Sequence, residues 1–195
     1  MMSAGFLKFL IRYIKATLRN KYTLFQLLQR FPSLRVDGEI YVINPQRLYL
    51  GKNVLIQRGT ILHCGGLAWS HHEGYIKIGD DSEISPYCVF YGAGGIEIGK
   101  RFDCGPGTMI FSSRSSYDVR EMGQIPHKHR FGKVTIGDDV ILFAGVIVSP
   151  GVTIGNGSVV GANSLVLKDI PPGEIWGGSP ARFLKKRSYD PVELK

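Results

Sequence analysis

The stretch IGDDVILFAGVIVSPGVTIGNGSVVGANSLV, residues 136–166, decides the fold. Aliphatic residues fall on every sixth position: Ile136, Leu142, Val148, Ile154, Val160 and Val166. Helices repeat their apolar positions near 3.6 and half-buried strands at 2, so neither pattern accounts for a step of six. A glycine often follows the lattice residue, as at Gly137, Gly155 and Gly161. Four places after it stands a small or β-branched residue: Val140, Val146, Val152, Ser158 and Ser164. A hexad of this kind is one short strand plus one turn. The lattice residue points inward, the small residue fills the corner, and glycine or a pair such as Asp138–Asp139 takes the turn. Three hexads close a triangular coil, and stacked coils bury one aliphatic column. The expected fold is all-β, a parallel β-helix.

The same step runs upstream. Leu50, Ile56 and Leu62 form one piece, Ile78, Ile84 and Phe90 a second, and Ile98, Cys104 and Ile110 a third. Gly51, Gly79, Gly99 and Gly105 keep the glycine phase, and Val54, Thr60, Ser82, Cys88 and Thr108 the corner phase, with Phe102 a large exception. About five coils follow from these positions. The breaks between pieces predict a loop over residues 63–77, an extra pair of residues at 92–95, and a longer excursion over 112–133. Loops leaving a rigid scaffold are where function concentrates.

The 195 residues suit one domain with appendages, and the apolar fraction of 44% is enough for a packed core. The net charge of +8 is unevenly spread. Residues 1–35 carry Lys8, Arg12, Lys15, Arg19, Lys21, Arg30 and Arg35 and no acid, whereas residues 36–195 hold 17 basic against 16 acidic residues. The body is therefore nearly neutral, which speaks against nucleic acid as its partner. Lys8, Arg12, Lys15 and Arg19 share one helical face, while Phe6, Phe9, Leu10, Tyr13, Ile14 and Leu18 cover most of the rest. A second short helical run is expected over Leu24–Leu28, ending before Pro32. Such a basic amphipathic segment fits an anionic membrane surface, or it packs on its own domain or a neighbouring subunit. Lys8 and Arg12 interrupt the apolar run at 6–14, no cleavage site follows, and no stretch reaches the length of a spanning helix. Neither a secretory signal nor a membrane span is read. Cys64, Cys88 and Cys104 are odd in number and widely spaced, which argues for a reducing, cytoplasmic compartment and against a cysteine-rich metal site.

The domain reading is a basic helical segment at 1–35, a β-helix at 36–176 with excursions at 63–77 and 112–133, and a cap and tail at 177–195. In the run GGSPAR, residues 177–182, Ser179 is expected as a helix N-cap and Pro180 as the first helical residue, opening a short basic C-terminal helix over 183–187.

The run IGDDVILFAGVIVSPGVTIGNGSVVGANSLVLKDIPPGEIWGGSPARFLKK, residues 136–186, resembles the hexapeptide-repeat acyltransferases. Its pieces SPGVTIG, VLKDIPP and GGSPAR are similar to that family's closing coils. WSHHEGYIKIGDDSEISPYCVFYGAGGIEIG, residues 69–99, resembles the branch that O-acetylates sugars in surface-polysaccharide pathways. The resemblance covers about residues 36–187. It implies a left-handed β-helix, a homotrimer, acetyl-CoA lying between two subunits, and a histidine as general base toward a sugar hydroxyl. It also implies that Gly145, Ala162, Lys168, Pro180, Arg182 and Lys185 meet the coenzyme. Where the family has a histidine after the coil ending near Ile110, this chain reads Phe111-Ser112-Ser113-Arg114-Ser115, so Ser115 takes that place.

Acyl transfer to a hydroxyl needs a base, and histidine suits neutral pH. The candidates are His127 and His129, in the same excursion as Ser115. His71 and His72 follow Trp69 in the other loop and, with Trp69 and Ser115, are candidate acceptor-binding residues. His63 directly follows a lattice residue and reads as structural. A metal site is not expected: His127 and His129 offer two ligands and no third is evident. Beside O-acetylation of a glycan, two readings stay open: N-acetylation of an amino sugar, and a non-catalytic trimeric β-helix that has lost its base.

Overall fold

The computed structural model describes residues 4–71, 73–116 and 129–188. Three parallel sheets form the walls of a prism. The first face stacks Arg35–Asp37, Leu55–Gln57, Glu83–Ile84, Asp103–Cys104, Ile141–Leu142, Val159–Val160 and Glu174–Gly177. The second stacks Tyr41–Ile43, Ile61–His63, Val89–Tyr91, Met109–Phe111, Ile147–Val148 and Leu165–Val166. The third stacks Leu48–Leu50, Ile76–Ile78, Ile96–Ile98, Val134–Ile136 and Thr153–Ile154.

The six-residue lattice becomes the vertical register. Ile56, Ile84, Cys104, Leu142, Val160 and Trp176 are successive partners on the first face. Leu62, Phe90, Ile110, Val148 and Val166 are partners on the second. Leu50, Ile78, Ile98, Ile136 and Ile154 are partners on the third. Apart from the half-buried ends of two columns, Leu50 and Trp176, these side chains are buried in one continuous core. The predicted corner residues are buried too, and the hydroxyls among them are satisfied by nearby carbonyls: Ser82 donates to Gly79, Thr108 to Gly105 and Ser164 to Gly161. Glycine after the lattice residue reflects the closeness of neighbouring coils. A Cβ on Gly99 would stand 2.7 Å from the backbone of Gly137 and Asp138 in the next coil.

The N-terminal segment is one continuous helix, Ala4–Arg30, rather than two runs. Thr17, Asn20 and Thr23 are tolerated in it, and nothing breaks the chain before Phe31. The helix is held at its C-terminal half. Leu27 is buried, Asn20 donates to the Glu39 carboxylate, and Arg30 donates to the Pro45 carbonyl.

The expected C-terminal helix is a correction. Arg182–Lys186 is a strand that pairs antiparallel with Glu174–Gly177, and Ser179–Pro180 belong to the turn between them. Glu174–Gly177 is the last parallel rung, and its outer edge would otherwise offer bare N–H and C=O groups. Returning the chain as a strand satisfies that edge, which a helix could not do.

Candidate active site

All three interruptions of the lattice leave from one corner, between the second and third faces. The loop after His63, the Gly92–Gly95 insertion and the excursion after Phe111 depart from successive coils there. Their backbones are tied together: Gly92 N–H donates to the His63 carbonyl, Tyr75 N–H to Gly92, Ser112 N–H to Tyr91, and Gly132 N–H to Ser112. Ser112 is fully buried. Its Oγ donates to the Tyr91 carbonyl at 2.7 Å and accepts the Gly94 N–H at 2.8 Å, which fixes where the long excursion departs.

The first loop is shaped by a short turn, Ala68–Ser70. Buried Ser70 donates to the Leu67 carbonyl at 2.9 Å and accepts the Leu67 N–H at 3.2 Å. The second excursion begins and ends as an antiparallel pair, Ser113–Ser115 with His129–Phe131. In its register Ser115 lies opposite His129, Arg114 opposite Arg130 and Ser113 opposite Phe131.

The two loops meet through their rings. Trp69 lies 4.5 Å from His129 and 6.2 Å from Phe131, centroid to centroid, and His71 lies 6.3 Å from Phe131. Behind them His63 stacks on Tyr91 at 4.9 Å and stands 6.3 Å from Trp69. Beside this cluster is a cavity of about 410 Å³ whose walls include Arg47, Ser70, His71, Glu73, Tyr75 and Phe131. His129 and Phe131 are two apart in one strand and so share one side of it, and Phe131 lines the cavity. Arg47 donates to the Gly74 carbonyl at 2.9 Å. The Tyr75 hydroxyl donates to Glu97, whose other oxygen pairs with Lys133 at 2.7 Å. The Lys133 hydrogen bond, and then that of Tyr75, hold the Glu97 carboxyl below the usual range.

His63 is buried, and desolvation holds its pKa below the ordinary histidine value. Its Nδ1 accepts the Gly65 N–H at 3.4 Å, so the neutral ring carries its proton on Nε2. Its ring is held in the corner by this contact and by stacking on Tyr91. Among the described residues no group of three or more His, Cys, Asp or Glu could hold a metal ion.

Of the residues singled out in the sequence, Trp69, His71, Ser115 and His129 are gathered at this corner. His72 and His127 lie outside the described residues. The coenzyme set divides. Gly145, Ala162, Pro180 and Arg182 belong to the other end of the second face, where its turns stack. Gly145 N–H donates to Pro106, Asn163 N–H to Ala144, and Gly161 N–H to the Trp176 carbonyl. Ala144, Ala162 and Gly178 are exposed small residues along that edge, and Arg182 pairs with Gly177 in the terminal hairpin. Lys168, in contrast, follows Val166 at the loop-bearing corner, and Lys185 pairs with Ile175, farther along the hairpin. Ser112, Tyr75 and Phe131 were missed in the sequence. Phe131 carried a usable signal, its alternation with His129, whereas Ser112 is indistinguishable from its serine neighbours until the coils stack.

Residues 133–168 match the bacterial transferase hexapeptide family, described by six repeats, and the chain carries that family's repeat. Among solved structures, AntD, an N-acyltransferase from Bacillus cereus in complex with dTDP and 3-hydroxybutyryl-CoA, superposes with a TM-score of 0.69. The two are 29% identical over 80% of this chain and 81% of AntD. A maltose O-acetyltransferase from Clostridium difficile 630 superposes with a TM-score of 0.57, at 26% identity over 80% of this chain and 67% of that one. By sequence, YvoF of Bacillus subtilis, named for acetyl transfer, is 50% identical over 69 residues, 35% of this chain and 40% of YvoF. The matches to this and to a fission-yeast relative span less than half of those curated proteins' lengths.

Proposed function

We propose that this protein transfers an acetyl group from acetyl-CoA to a sugar, with a hydroxyl as acceptor and His129 as general base. The observation that carries the reading is the register of Ser115 and His129. In an antiparallel pair, directly opposed residues share one side of the ribbon with Cβ atoms about 5 Å apart. The imidazole that the family resemblance expects at 115 is therefore supplied from the neighbouring strand at nearly the same place. Trp69 packs against the ring and limits its rotation. His129 takes the acceptor's proton as its oxygen attacks the thioester carbonyl, then returns a proton to the departing thiolate. Backbone N–H groups of the corner turns are suited to the charge that develops on the carbonyl oxygen.

The cavity beside His129 fits a polar, ring-shaped acceptor. It joins aromatic faces, Phe131 and Tyr75, to groups that hydrogen-bond hydroxyls, His71 and Glu73. A coenzyme A thioester as donor is supported by the 3-hydroxybutyryl-CoA bound in AntD and by the open small-residue edge at Ala144, Ala162 and Gly178, and acetyl as its acyl group by the naming of relatives such as YvoF for acetyl transfer.

A homotrimer wound left-handedly belongs to the same proposal, and the second face supports it. Tyr41, Ile61, Val89, Met109, Ile147 and Leu165 are rungs of one outward ladder on that face, while the third face turns Tyr49, Lys77, Glu97, Thr135 and Thr153 outward. An apolar sheet face of this length calls for a protein partner, and a second copy would bring the base-bearing corner of one subunit near the turn edge of another. The reading of a reducing compartment is supported by three free, buried cysteines.

Nitrogen as acceptor is the second reading, favoured by the extent of the likeness to AntD, an N-acyltransferase. Calorimetric titration with acetyl-CoA, followed by transfer assays on matched hydroxy- and amino-sugars, tests both. Saturable coenzyme binding with hydroxyl-selective transfer supports the proposal, amine-selective transfer favours the second reading, and no coenzyme binding removes both.

A further inference from the structure

The helix Ala4–Arg30 projects a face that the body does not cover. Its packed residues lie in the second half, where Leu24 and Leu27 join the core and Asn20 and Arg30 bond to the first coil. Toward the N-terminus Phe6, Leu7, Phe9, Ile11, Tyr13, Ile14 and Leu18 are each 45–62% exposed. Over this half the apolar side chains wrap well beyond a semicircle, and Lys8, Arg12, Lys15 and Arg19 hold the remaining narrow stripe. No helix among the described residues is long and apolar enough to cross a membrane.

Two occupants could cover such a face, and charge separates them. A second copy of the helix would bring the same cations with no acid to meet them, since residues 1–35 contain none. A coiled-coil seam is also narrow, whereas this arc is broad and rich in aromatics. An anionic lipid surface answers both features. The apolar arc sinks among the acyl chains, and the lysine and arginine stems reach back to the phosphates. We infer that the N-terminal helix is an in-plane anchor that binds this protein to anionic membrane surfaces. The opposite, body-packed end of the helix is the one that approaches the acceptor cavity. Arg30 bonds to Pro45 and Gln46, and the adjacent Arg47 forms part of the cavity wall.

The test is flotation of the full chain with vesicles of phosphatidylcholine and phosphatidylglycerol, and with vesicles of phosphatidylcholine alone. The protein should float with the anionic vesicles and far less with the neutral ones. Replacing Lys8, Arg12, Lys15 and Arg19 by Gln should weaken the partition on the order of a thousandfold, and Ile14→Asp with Leu18→Asp should abolish it. All six side chains lie away from the core, so an unchanged β-helix melting transition verifies folding. Absence from anionic vesicles at low salt overturns the inference. So does flotation that the six substitutions leave intact. A drop in assembly mass for Ile14→Asp with Leu18→Asp, without vesicle binding by the parent, assigns the face to a second copy instead. None of these readouts depends on acetyl transfer, so the anchor and the enzyme reading fail separately.

Discussion

Ser115 and His129 stand opposite one another across the antiparallel pair that closes the long excursion. A serine in the place of a base looks like a loss in one dimension. On the function proposed above, the imidazole has instead moved across the ribbon by one strand spacing, about 5 Å.

The first prediction follows from that pairing. His129→Ala should lower kcat by about a hundredfold to ten-thousandfold, the range expected for a removed general base. Coenzyme affinity should hold, because the turn edge at Ala162 is at the other end of the second face. Adding Ser115→His to His129→Ala should restore part of the rate, since the new imidazole points to the same side. A double variant no faster than His129→Ala, with both correctly folded, would show that position 115 does not face the reacting atoms.

Trp69 touches the same ring, at 4.5 Å, from the other loop. Trp69→Phe keeps an aromatic plane and should change the rate little. Trp69→Ala frees the His129 ring and opens the cavity beside Phe131, so it should both lower kcat and raise the KM for the acceptor. Steady-state kinetics with the acceptor varied separates the two effects. A change confined to the KM for acetyl-CoA would contradict this arrangement.

Much of this was legible in the sequence, for a physical reason. The step of six is written by residues that must be buried, so Ile136 through Val166 announce their own columns, and the gaps after Leu62, Phe90 and Ile110 announce the corner that carries loops. The meeting of Trp69 with His129 was not legible, because 60 residues separate them and only the stacking of coils brings them together. The C-terminal strand escaped for a different cause. Ser179–Pro180 is a sound helix start in isolation, and the bare edge of Glu174–Gly177 that overrides it exists only once the prism is built.

The core predicts its own sensitivity. Ile84 is fully buried between Ile56 and Cys104, and Ile84→Ala should cost about 2–5 kcal/mol. Gly99→Ala should also destabilise although it adds only one methyl, because that carbon would stand 2.7 Å from the Gly137 and Asp138 backbone. Chemical denaturation should place both below the parent, and an unchanged midpoint for Gly99→Ala would mean that the coils can separate there.

Burial of His63 makes stability depend on pH in a definite sense. Its folded pKa is lowered by desolvation from the ordinary value of 6.5, so the unfolded chain binds its proton more readily than the folded one. The contribution is complete above about 6.5 and is lost as the pH falls through 6.5 toward the lowered value. Melting temperature should therefore fall on acidification across that window, and His63→Gln should flatten the fall. An equal fall in the variant would assign it to other groups.

The last prediction concerns the coenzyme edge, where the resemblance and the geometry make different demands. The resemblance groups Arg182 and Lys185 together. In the hairpin Arg182 is opposite Gly177, beside the stacked turns of Ala144, Ala162 and Gly178, whereas Lys185 is opposite Ile175, two residues farther along that strand. Arg182→Ala should weaken acetyl-CoA binding more than Lys185→Ala does, since a surface charge is largely screened beyond about 8–10 Å and three residues of strand span about that distance. Ala162→Trp should block binding outright by filling the edge, while its exposed position leaves the fold intact. Calorimetric titration of the three variants reads this order directly. If Lys185→Ala proves the more damaging, the coenzyme phosphates lie toward the far end of the hairpin, away from the edge formed by the small residues.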